Sequence, residues 1–170
     1  AEGEDDEHEA VVGFARSSDI AHLLGELSEA RVNPAVLGVP ELMLRYTAEA
    51  YLPQVREKTV ALLDMGHKTT SVLVLERGHV ALAREISYGG ADVTDEICEV
   101  FADATPEDAA RVKHAQGAIL EESQAQDPSQ RALSEAIQRA LVPMMRDLRR
   151  TFQSLYARER VEIETIYVLG

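Results

Sequence analysis

The chain has 170 residues, 45% of them hydrophobic, enough to bury one core of ordinary size or to form a large piece of a bigger protein. Its formal charge of -13 argues against nucleic acid as a partner, because such binding draws its affinity from clustered Lys and Arg against phosphates. The single Cys98 excludes an internal disulfide, and no apolar stretch approaches the roughly 20 residues that span a bilayer, so no part of this chain is expected to insert in a membrane.

Residues 1–10 hold six acids, Glu2, Glu4, Asp5, Asp6, Glu7 and Glu9, with no Lys or Arg among them. Such a run reads as a solvated linker or tail. Residues 11–170 read as one folded unit that opens on the short apolar run Val11 to Ala15. Ser17, Ser18 and Asp19 are candidate caps for a helix whose apolar face carries Ile20, Leu23, Leu24 and Leu27 and which ends near Asn33-Pro34. Ala35 to Val39 then reads as a strand, and Pro40 opens a helix carrying Leu42, Met43, Tyr46, Ala50 and Tyr51. Alternation of this kind is the α/β pattern.

Thr59 to Asp64 is continuously apolar up to its acid, Thr69 to Leu75 is β-branched, and Met65 to Lys68 joins the two as a tight turn. A third strand, His79 to Ser87, follows a turn at Arg77-Gly78 and completes a meander. Gly89-Gly90 ends it, and Asp92 or Thr94 can cap a helix through Val93, Ile97, Cys98 and Phe101, where Cys98 reads as a small buried apolar residue rather than a nucleophile. Thr105-Pro106-Glu107-Asp108 opens a further helix reaching about Leu120. Glu121 to Gln130 reads as a polar surface loop.

From Ala132, the residues Leu133, Ile137, Leu141, Met144 or Met145, Leu148, Phe152 and Leu155 fall three or four apart and predict one long helix, kinked at Pro143. Its arginines, Arg131, Arg139, Arg146, Arg149, Arg150, Arg158 and Arg160, are interleaved with Glu135, Asp147 and Glu159 and read as a solvated face. Glu164 to Leu169 closes the chain as a strand. The first residue is not Met and the last follows directly on a strand, so both ends are expected to lie within a longer protein.

Chemistry concentrates in Leu63-Asp64-Met65-Gly66-His67-Lys68-Thr69-Thr70. Gly66 allows a tight bend that brings backbone N–H groups near an anion, Thr69 or Thr70 adds a hydroxyl, and Asp64 can orient a hydrated Mg²⁺. Read from the residues alone, the same run is equally a β-turn in which Asp and Gly are simply favoured. Gly89 and Gly90 carry a similar pair of readings, an anion site at a helix N-terminus or close packing of strand on helix.

Three segments taken together resemble a known family: Ala61-Leu62-Leu63-Asp64-Met65-Gly66 with Thr70, then Arg84-Glu85-Ile86 with Gly89-Gly90, Val93-Thr94 and Ile97, then Ala109-Ala110 with Lys113 and Gly117. Their order and distances resemble the actin-like family containing FtsA, the pilus assembly protein PilM and the cytoplasmic part of the secretion protein GspL. The resemblance spans about 11–170 and implies part of an actin-like ATPase (RNase H-like) α/β fold, a mixed sheet of a β-meander with flanking helices. It implies that Asp64, Gly66, Thr69, Thr70, Gly89, Gly90 and Lys113 mark a partial or vestigial phosphate and nucleotide site, with no catalytic residue and no protein-held metal. The family's first phosphate loop and its adenosine loop are not found in this stretch. No cofactor is therefore expected here, while ATP and Mg²⁺ belong to a full-length parent. Ala110 stands where actin-like ATPases often carry a ribose-binding Glu, a departure that argues against nucleotide.

The implied role is a cytoplasmic scaffold at the inner membrane in type IV pilus assembly or type II secretion. Its partners would be an inner-membrane platform protein and the motor ATPase, with a homodimer left open. The alternatives are an ATP-binding actin-like ATPase and an FtsA-like cell-division adaptor.

Overall fold

The computed structural model describes residues 14–121 and 123–170. In chain order these form α1 (Ser17–Glu29), α2 (Pro40–Tyr51), a 3₁₀ turn at Pro53–Arg56, β1 (Thr59–Met65), β2 (Thr70–Glu76), β3 (His79–Ile86), α3 (Gly90–Val100), α4 (Pro106–Gln116), α5 (Pro128–Glu159) and β4 (Thr165–Leu169). The acidic leader and the start of the apolar run at Val11 lie outside the described residues.

The four strands make one mixed sheet in the order β3-β2-β1-β4. Antiparallel pairing joins β1 to β2 and β2 to β3, as a meander requires, whereas β4 returns parallel to β1 after the helices. The β2–β3 hairpin turns on Arg77 and Gly78, both at positive φ, the backbone state that matches the twist of two-residue hairpins.

Both faces of β1 and β2 are covered, which explains why these strands are apolar throughout instead of alternating. On one face Val60, Leu62, Leu73 and Leu75 pack against Ala48 of α2 and Val55. On the other, Leu63, Val72 and Ile86 meet Met144 and Leu148 of α5, and Ala61 and Val74 meet Leu155 and Val161. A further cluster lies between helices: Val93 and Ile97 of α3, Ala109 of α4, and Leu133, Ile137 and Ala140 of α5. Along β4, Ile166 and Val168 line an apolar trough of about 440 Å³ with Leu63, Met144 and Phe152.

Several expectations need correction. The N-cap of α3 is Gly89, with Asp92 and Thr94 inside the helix, and α1 ends at Glu29, short of Asn33-Pro34. Ala35 to Val39 is not a strand: Val36 is 81% exposed, and apolar β-branched residues form a ladder only where a partner strand is available. The N-cap of α1 is Arg16, and Asp19, in the first turn, accepts the Arg16 Nε–H at 2.9 Å. α4 stops at Gln116, where the Gly117 N–H closes on the Lys113 carbonyl. α5 begins earlier than Ala132, at Pro128, because the Asp127 side chain accepts the Gln130 N–H at 2.9 Å and caps the helix. The helix then continues through Pro143 to Glu159.

Candidate functional site

β1 and β2 are paired as far as Met65 and Thr70, so the four residues 66–69 form the turn, closed by the Gly66 N–H donating to the Thr69 carbonyl at 2.9 Å. Asp64 lies one rung before the turn, opposite Ser71 on one side and Leu169 of β4 on the other. Alternation along β1 puts Asp64 on the same face as Val60 and Leu62, the face that α2 covers. Gly66, His67 and Lys68 are exposed, while Thr69 is half-buried.

That face holds an acid that the sequence pattern does not single out. Glu41, the second residue of α2, is only 9% exposed, and its Oε1 accepts a long bond of 3.5 Å from the Ser71 hydroxyl. A carboxylate in the first turn of a helix is favoured by the backbone dipole, which helps it tolerate burial. The available signal was Pro40-Glu41 as a helix opening, but nothing local reveals that this opening lies over the end of β1.

Thr70 is 1% exposed, and its hydroxyl donates to the Tyr88 carbonyl at 2.8 Å. The N-terminus of α3 meets the turn directly: Gly90 N–H donates to the Gly66 carbonyl at 2.9 Å and Ala91 N–H to the His67 carbonyl at 2.7 Å. A Cβ on Gly89 would lie 2.6 Å from the Gly66 oxygen and 2.7 Å from the His67 carbonyl, so glycine is what permits this approach. Gly89 N–H itself donates to the Asp92 carboxylate at 2.8 Å. Lys113 reaches across from α4, its Nζ 2.6 Å from the Gly90 carbonyl and 2.9 Å from the Thr94 hydroxyl.

Gly66, Gly89, Gly90 and Lys113 therefore share one hydrogen-bonded junction, with Thr70 joined to it through Tyr88. The donors an anion would need at α3 and Thr70 already have partners inside the fold, whereas Asp64 is half-buried at the strand end and only the 66–68 segment is exposed. The fit to a phosphate with hydrated Mg²⁺ is partial: Asp64 suits the cation, while the anion's donors are committed elsewhere. Among the described residues no group of three His, Cys, Asp or Glu side chains is placed to hold a metal ion.

Tyr88 was a second residue missed from sequence. Its hydroxyl donates to the Ala140 carbonyl of α5, and burial, reinforced by the negative charges of Asp92 and Glu96, raises its pKa above the ordinary value and keeps it a donor. Half-buried Cys98 packs against the α3–α4–α5 cluster, as a small apolar side chain would. A cavity of about 750 Å³ lined by Ile119, Leu120, Ala125, Ser134 and Gln138 contains none of these residues.

A mixed sheet of a three-stranded meander and a parallel return strand, flanked by helices, defines an α/β protein of the actin-like class. Two solved structures share that fold at low identity: MreB5 of Spiroplasma citri bound to ADP (13% identity, TM-score 0.65, covering 91% of this chain and 54% of that one) and the same protein bound to AMPPNP (13%, TM-score 0.61, 87% and 52%). The chain belongs to the type IV pilus assembly protein PilM family, whose model matches residues 1–146. It is also similar to a chain of the PilM-PilN type IV pilus biogenesis complex, at 26% identity and TM-score 0.76 over 92% of this chain and 41% of that one. The present chain thus spans about half, or less, of the length of the solved structures it matches. A search of curated protein sequences returned no match.

Proposed function

We propose that this chain is a piece of a cytoplasmic scaffold that works at the inner membrane, holding a PilN-like platform protein in type IV pilus assembly or a related type II secretion machine. The observation that carries the reading is the likeness to the PilM-PilN complex across 92% of the chain. Two features of the site favour scaffold over enzyme: the Thr70 hydroxyl and the first N–H groups of α3 are bonded within the fold, and Ala110 leaves no carboxylate at the family's ribose-binding position. Contact with the motor ATPase belongs to the same proposal and follows from the scaffold's place in the assembly.

The test is binding of the cytoplasmic segment of the PilN-like protein from the same organism to the full-length parent, read by calorimetry. Saturable one-to-one binding is the expected result, and absence of binding overturns the scaffold reading. Asp64, with the outward-facing 66–68 segment, favours a second reading, a nucleotide-holding parent in which ATP and Mg²⁺ occupy the turn. Mg-ATP titrated into the same full-length protein tests it; no heat and no thermal stabilisation would remove it.

A further inference from the structure

α5 crosses two cores. Leu133, Ile137 and Ala140 pack with α3 and α4, whereas Met144, Leu148 and Leu155 pack on the sheet. Pro143 stands between the two sets. Having no N–H, it leaves the helix one backbone bond short at that boundary, which makes this the weakest point of the helix against bending. The chain crosses between sheet and helical cluster at one other place before α5, residues 87–89 between β3 and α3.

Both crossings are tied to the turn at the end of β1. Tyr88, in the first, accepts the Thr70 hydroxyl on its carbonyl and donates its own hydroxyl to Ala140, three residues before Pro143. Immediately beyond, Gly90 and Ala91 donate to the Gly66 and His67 carbonyls. Lys113 then clamps α4 to the Gly90 carbonyl, so residue Gly90 bonds the turn through its N–H and α4 through its carbonyl oxygen.

We propose that α3, α4 and the first half of α5 form a lobe that pivots about residues 87–89 and Pro143, and that the 66–69 turn is the latch setting its angle. Tyr88 is a positioning residue of that latch, and Lys113, bonded to Gly90 and Thr94 of α3, acts on it from inside the lobe by fixing Gly90. Any ligand or partner that holds the turn then shifts the lobe, and anything that grips the lobe shifts the turn, because such coupling is reciprocal. The inference stands independently of the platform-protein reading.

Amide hydrogen exchange followed by NMR on the 170-residue chain tests it. Lys113→Met removes both hydrogen bonds from Lys113 to α3 without touching the turn. Its expected effect is about tenfold faster exchange at Gly66, Gly90 and Ala91, with Leu62 and Leu73 in the sheet unchanged, as for a sub-global opening. Tyr88→Phe should accelerate the same three amides and that of Met144, and Pro143→Ala, which restores the missing donor, should slow them. Acceleration confined to α4 in Lys113→Met overturns the proposal, as does an equal acceleration at Leu62 and Leu73. Should Lys113→Met fail to fold, unchanged rates at Gly66, Gly90 and Ala91 in both other variants would also overturn it.

Discussion

Gly89 sits where the backbone of the turn comes within contact distance of α3. Replacing it with alanine would place a methyl group 2.6 Å from the Gly66 oxygen, a contact that only backbone movement relieves. Gly89→Ala is expected to cost on the order of 2 kcal/mol, the size of an overpacking penalty, read as a lower denaturant midpoint with an unchanged slope. Of the two sequence readings of Gly89-Gly90, close packing is what the carbonyl approach displays, and no local pattern could separate them. Tyr88 carries a pH prediction. Its folded pKa is raised above an unfolded value near 10.0, so its contribution is fully present below that value and is lost as pH rises through the folded one. Thermal melts from pH 9 to 11 should show a steeper alkaline fall for the native chain than for Tyr88→Phe.

At the scale of elements, α5 was the most legible from sequence because its apolar residues repeat at the helical period over many turns. Periodicity left Met144 and Met145 as alternatives; packing buries Met144 against the sheet and leaves Met145 55% exposed. The energetic contrast follows. Leu148→Ala, at a side chain 3% exposed, is expected to cost about 2–5 kcal/mol, whereas Met145→Ala should stay within about 0.5 kcal/mol, both by urea denaturation. Ala35 to Val39 was misread for the opposite reason. A short apolar β-branched run signals compatibility with a sheet, but pairing depends on a neighbour that such a run does not encode.

For the whole molecule, the meander was readable because β1, β2 and β3 are joined by short turns with strong local signals, Gly66 in one and Arg77-Gly78 in the other. The parallel return of β4 beside β1 was not, since the intervening helices separate the two strands along the chain. The family was legible from three spaced segments, and the family model and the PilM-like fold agree with that resemblance. Sequence by itself determined the helices, the three-stranded meander, the Asp64–Thr70 turn and the family, because each rests on short-range periodicity, turn chemistry or residue spacing. Tertiary structure alone decided the junction: Thr70 to Tyr88 spans 18 positions, Lys113 to Gly90 spans 23, Ser71 to Glu41 spans 30 and Tyr88 to Ala140 spans 52. Those bonds join residues on different elements, and their geometry exists only once the sheet and helices have packed.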